Sequence, residues 1–151
     1  MKKSKGFTLI ELLVVIAIIG ILATIVLVSL NSARQKARDV RRIGDLRQVA
    51  LALEMYYDDN AGYVGVTGCS NANWDTMSTA IETGAYMAAV PNDPTDAGSN
   101  IYMYGADSAT NAQEYTLRAY LENTSNSALA TDVDGTSNGC ACDDPAYCIR
   151  P

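Results

Sequence analysis

The chain is 151 residues long with a formal net charge of −6, which leaves room for one domain. Residues 1–53 hold nine Lys/Arg against three Asp/Glu, whereas from Glu54 onward fourteen Asp/Glu face only Arg118 and Arg150. So acidic a distal part excludes an electrostatic nucleic-acid surface there. With no histidine, no G-x-S-x-G turn and no phosphate-binding loop, the chain offers no catalytic constellation.

Lys2, Lys3 and Lys5 precede an apolar run from Phe7 to Leu30. As a helix it spans about 36 Å, enough for a hydrocarbon core of about 30 Å. The lysines place its N-terminal end in the cytoplasm. The basic residues from Arg34 lie on the other flank and oppose that orientation; the cysteines and the acidic distal part favour export of the C-terminal side. An ordinary cleaved signal has an apolar stretch of about 7–15 residues, and this one is longer and holds a carboxylate. A charge deep in a membrane costs at least about 2.5–3.5 kcal/mol, so Glu11 either snorkels toward the headgroups or has a partner.

The stretch K-G-F-T-L-I-E, Lys5 to Glu11, resembles the processing signal of the type IV pilin family, which includes the pseudopilins of type II secretion. The resemblance implies that a prepilin peptidase removes residues 1–6 by cutting between Gly6 and Phe7 and methylates Phe7. Gly6 lets the backbone approach the peptidase closely, where a Cβ would obstruct it. Glu11 is then the assembly glutamate, pairing with the Phe7 ammonium of a neighbouring subunit in low dielectric. The implied partners are the chain itself as a helical homopolymer, the peptidase, an inner-membrane assembly platform and the membrane. The implied location is the cytoplasmic membrane, single-pass with the N-terminus inside, followed by an extracytoplasmic filament. Many type IV pilins carry a proline in this helix, but the first proline here is Pro91. Gly20, with Ala17, Ala23 and Thr24, forms a small-residue patch suited to close helix packing.

Beyond the apolar run, Val40, Ile43, Leu46, Ala50, Leu53 and Tyr57 recur at helical spacing, and the breaking signal comes only at Asp58-Asp59-Asn60-Ala61-Gly62. A single helix is predicted from Phe7 to Asp59, with the basic residues from Arg34 to Arg47 as its solvated stripe. The predicted organisation is a leader at 1–6, a transmembrane and filament-core helix at 7–30, and a head domain at 31–151 that includes the amphipathic half 31–59. Asn73 is placed to cap a helix from Trp74 to about Ala85. Pro91-Asn92-Asp93-Pro94 reads as a turn. Ile101 to Tyr104 and Glu114 to Leu121 read as two antiparallel strands. The line from Val90 to Glu122 is also similar to the major pseudopilins, in which a proline-containing turn precedes strands packed on the helix. The fold class expected is α+β: a long N-terminal helix and a small antiparallel sheet.

The C-terminal stretch from Thr131 to Asp144 is polar and acidic, and clustered oxygen ligands suit calcium. By the family resemblance Asp132 and Asp134 are candidate ligands, with Asp143 behind them; by composition alone the stretch is a solvated turn. No other cofactor is expected. Cys69, Cys140, Cys142 and Cys148 suggest disulfides in an oxidising compartment. Joining Cys140 to Cys142 would strain so short a loop, which favours Cys69 bonded into the C-terminal segment and the other two paired there. A metal site is the weaker reading, since C-x-x-C spacing is absent. A structural filament subunit is the function expected. The alternative is a membrane-anchored adhesin or calcium-binding module that never polymerises, in which a carboxylate at Glu11 would gain nothing.

Overall fold

A computed structural model describes residues 7–98 and 100–151. The leader residues, Gly6 among them, lie outside the described residues. Two compact units emerge, Met1–Gln35 and Lys36–Pro151.

The expected long helix is α1, Leu9–Asn60. Thr8 and Glu11 start it as a reciprocal capping box: the Glu11 N–H donates to Thr8 Oγ1 at 3.3 Å, and the Thr8 N–H donates to Glu11 Oε2 at 2.8 Å. At the other end Ala61 adopts φ 55° and its N–H donates to the Tyr57 carbonyl at 2.8 Å, closing the last turn in left-handed form. Every large apolar side chain from Phe7 to Leu30 is exposed, from 45% at Val15 to 77% at Leu9. This stretch is long and apolar enough to cross a membrane.

In the second unit α1 buries Asp39, Arg42, Asp45, Leu46, Val49, Ala52 and Leu53. The buried face is therefore rotated from the one the apolar spacing predicts. Val40, expected inside, is 68% exposed, whereas Arg42 and Asp39 are fully buried. The reason is ionic and is taken up below.

After α1 come β1 (Cys69–Ser70) and α2 (Asn71–Thr83). The cap of α2 is Ser70, whose hydroxyl accepts the Asn73 N–H at 3.1 Å. Asn73, the expected cap, instead donates its side-chain amide to the carbonyls of Thr67 and Gly68. The helix begins three residues earlier than predicted and turns Trp74, Met77 and Ile81 inward, a three-then-four spacing that lines one face.

The expected strand pair is present as β2 (Met103–Ala106) and β3 (Tyr115–Tyr120), antiparallel with Tyr104 opposite Leu117. A short 3₁₀ turn at Ser127–Ala130 leads to the hairpin of β4 (Thr136–Ser137) and β5 (Cys140–Ala141), and the chain closes with β6 (Ala146–Ile149). The main sheet has the order β1-β2-β3-β6, each pair antiparallel. Leu46, Val49 and Leu53 share one core with Trp74, Met77, Ile81 and the sheet residues Tyr104, Tyr115 and Leu117. Each buried aliphatic side chain in it contributes about 1.5–3 kcal/mol. The opposite sheet face is covered by the hairpin, where Thr116 and Ser137 share a hydroxyl hydrogen bond of 2.8 Å.

Candidate functional site

Three groups of polar residues are set up by the fold. The first is the capping box at the start of α1. Glu11 Oε2 receives both the Thr8 N–H and the Thr8 hydroxyl, the latter at 2.6 Å. Its Oε1 accepts no hydrogen bond among the described residues. The sequence singled out Glu11 for its place in an apolar run; its local partner, Thr8 three residues earlier, is a capping-box signal that went unread.

The second group explains the rotation of α1. The Arg42 guanidinium donates to both carboxylate oxygens of Asp93, at 2.7 and 3.0 Å, and through Nη1 to Asp39 at 2.9 Å and Glu122 at 2.8 Å. Glu122 also receives Arg38 Nε at 2.6 Å. Asp39 in turn accepts the backbone N–H groups of Glu122 and Asn123, both at 2.9 Å. Three carboxylates and two guanidiniums thus pin the proline-flanked turn and the end of β3 to the helix. Hydrogen bonds from Arg38 lead, and those from Arg42 add, in holding the Glu122 carboxyl down at about 2 against the effect of burial. Burial alone would raise Asp93, but its bonds from Arg42 and Thr95 leave it below the usual carboxylate range. Arg42, expected in the solvated basic stripe, is instead the centre of this cluster, with Asp39 buried beside it.

The third group is C-terminal. Carboxylate oxygens of Asp132, Asp134 and Asp144 lie within 4.8 Å of one another. Of the candidates chosen from sequence, Asp132 and Asp134 are brought together, and the third member of the group is Asp144 rather than its neighbour Asp143. Asp132 Oδ2 accepts the Cys148 N–H at 2.9 Å, while its buried Oδ1 has no hydrogen-bond partner among the described residues. Burial pushes the Asp132 carboxyl up, and the charges of Asp134 and Asp144 push the same way. Convergent oxygens, one of them buried and unpaired, fit the donor set of a hard divalent cation.

The disulfides frame this segment. Cys69 bonds Cys140 and Cys142 bonds Cys148, so the pairing favoured from sequence, Cys69 into the C-terminal segment, is the one found. At the hairpin tip Asn138 and Gly139 both have positive φ, 48° and 78°. A Cβ on Gly139 would meet the Gly68 Cα at 3.0 Å, so that position needs glycine for its conformation and for its neighbour.

An exposed apolar helix long enough for a membrane, joined to a small disulfide-bonded α+β unit, defines a membrane-anchored protein with an ordered polar part. The prokaryotic N-terminal methylation motif matches residues 1–27. The chain is 33% identical to the type II secretion system core protein G of Klebsiella pneumoniae over 99 residues, 62% of this chain and 71% of that one. To the protein of the same description in Vibrio cholerae it is 32% identical over 108 residues, 69% and 72% of the two chains. To the type IV wide pilus major component PilA4 of Thermus thermophilus it is 48% identical over 63 residues, 42% and 48%. No solved structure gives a significant match. The chain belongs to the type IV pilin and type II secretion pseudopilin family.

Proposed function

We propose that the protein is a structural, non-enzymatic subunit of a pseudopilus-like filament, made as a precursor, cut by a prepilin peptidase between Gly6 and Phe7 and methylated at Phe7. The observation that carries this reading is the coincidence of the methylation motif at residues 1–27 with a stretch, Phe7 to Leu30, whose large apolar side chains are all exposed. Such a surface is stable only in lipid or against other helices. Before assembly the apolar helix crosses the cytoplasmic membrane with its N-terminus inside. The pseudopilin branch is preferred to the pilus branch because the secretion-system proteins of Klebsiella pneumoniae and Vibrio cholerae align with 62% and 69% of this chain, against 42% for the pilus component.

In the filament, Glu11 of one subunit receives the Phe7 ammonium of its neighbour. Thr8 occupies Oε2 of that carboxylate and fixes its direction; Oε1 remains for the incoming cation. In a low-dielectric core this pairing is strong and an unpaired charge is penalised, so it sets the axial register between subunits. Glu11→Ala should leave a processed chain in the membrane and no filaments in the sheared fraction. Normal filaments from that variant would remove the ion pair from the account and favour the non-polymerising anchor.

We further propose that Asp132, Asp134 and Asp144 hold calcium. The ion would neutralise three carboxylates crowded at one site and tie residues 132–144 together. Calcium should raise the thermal midpoint of the wild-type chain and leave Asp132→Asn/Asp144→Asn unmoved; equal responses would argue for a merely solvated turn.

A further inference from the structure

Asp132 and Asp134 sit in the stretch between the 3₁₀ turn and β4, whereas Asp144 lies beyond β5, inside the loop that Cys142 and Cys148 close. None of the three belongs to a helix or a strand. Carboxylates gathered within 4.8 Å repel one another, so the chain itself has to hold the two stretches together. Asp132 Oδ1 is buried and has no hydrogen-bond partner among the described residues, a need that a cation would meet.

The two stretches meet on one disulfide. The Cys148 N–H donates to Asp132 Oδ2 at 2.9 Å, and the Cys148 carbonyl accepts the Val133 N–H at 3.2 Å. The Cys142 N–H donates to the Gly135 carbonyl at 2.6 Å. Among the described residues, every hydrogen bond between 132–135 and the chain after β5 ends on one of these two cysteines. Both are fully buried, and Val133 packs against them. Cys148 is anchored in β6, opposite Arg118 of β3, while Cys142 lies outside the main sheet and is tied to it by the bond. Asp144 makes no ion pair among the described residues, so its place follows from the closed loop.

We propose that the Cys142–Cys148 bond is the positioning device of the cation site: the oxidation state of this pair sets calcium affinity, and calcium protects the pair from reduction. This rests on the calcium reading above. With the bond closed, Asp144 is already ordered against Asp132 and Asp134, and little chain freedom is lost on binding. Reduction by an external dithiol adds two electrons and two protons and splits the bond into two thiols, while the dithiol closes to its own disulfide. The loop then opens and the carboxylates separate. Linkage makes the effect reciprocal: the factor by which the bond raises calcium affinity is the factor by which calcium favours the oxidised pair. Cys69–Cys140 is the internal comparison, since none of the hydrogen bonds to residues 132–135 ends on it.

The test uses the full chain in detergent, with calcium as the only added ligand and a chelator control. In calorimetric titration Cys142→Ser/Cys148→Ser should bind calcium about tenfold or more weakly than wild type, the size of effect that groups supporting metal ligands have. A second measurement needs no variant: wild type is equilibrated in graded mixtures of reduced and oxidised dithiothreitol, alkylated and mapped by peptide mass. Saturating calcium should raise the reduced-to-oxidised ratio that half-opens Cys142–Cys148 by the same factor, about tenfold or more, and leave Cys69–Cys140 unmoved. Equal calcium affinities in the two chains, or an equal shift at both disulfides, would overturn the linkage. If wild type binds calcium and Asp132→Asn/Asp144→Asn does not, while the Cys142–Cys148 midpoint stays fixed, the linkage fails and the calcium reading stands. If wild type binds no calcium, both fail.

Discussion

The two halves of α1 invert the usual rule of burial in opposite ways. From Phe7 to Leu30 the large apolar side chains are all outside; from Asp39 to Asp45 three charged side chains are inside. In the first half the side chains have no internal partner, so their stability has to come from surroundings of lipid or other helices. In the second half, charge is buried because each ion meets partners of fitted geometry: Arg42 presents its planar fork to Asp93 and spare donors to Asp39 and Glu122. The difference separates what the fold satisfies by itself from what it leaves for assembly.

The largest expected break of this contrast is Arg42→Ala, which strands Asp39, Asp93 and Glu122 around an absent cation. It should cost about 3–5 kcal/mol, read by urea unfolding of the full chain in detergent, while leaving membrane insertion unchanged. Loss of the Cys69–Cys140 bond, which closes a separation of 71 residues, should cost about 4 kcal/mol in the chain-entropy account. Loss of Cys142–Cys148, with a separation of 6, should cost about 2 kcal/mol by the same reckoning. Equal costs would show that strain or residual structure, not loop length, governs them.

Acid sharpens the contrast further. The Glu122 carboxyl lies at about 2 in the folded chain against an ordinary 4.5. A carboxyl depressed by folding contributes fully above its unfolded value and loses that contribution as pH falls through its folded one. Stability should therefore decline between about pH 4.5 and 2, and the decline should shrink in Arg38→Ala, which removes the leading hydrogen bonds to that carboxyl. The smallest effect expected is Ser70→Ala, which removes the α2 cap at a cost of about 1 kcal/mol, measurable as a shift in thermal midpoint.

What was legible in the sequence follows from range. The limits of α1, predicted as 7–59 and found as Leu9–Asn60, were set by local signals: an unbroken apolar run, helical spacing and a cluster of breakers. Strands β2 and β3 were visible through their tyrosines and alternation. The buried ions were not, because Arg42 meets Asp93 and Glu122 across separations of 51 and 80 residues, and local periodicity carries no trace of such pairing. The same blindness put Val40 inside and Arg42 outside.

Other misses were local and readable. Ser137-Asn138-Gly139-Cys140 holds the Asn-Gly pair of a two-residue hairpin, where composition alone suggests only a solvated turn. Strand β6, four residues between Pro145 and Arg150, is too short for alternation to show. In the acidic segment composition found the neighbourhood, but only the fold distinguishes Asp144 from Asp143.

The central claim is that this chain is a processed filament subunit, and the most direct measurement is the intact mass and N-terminal sequence of the membrane-extracted protein. The account predicts a chain that starts at methylated Phe7. A chain that starts at Met1, or is cut near Ala33, would contradict it and reduce Glu11 to the capping partner of Thr8.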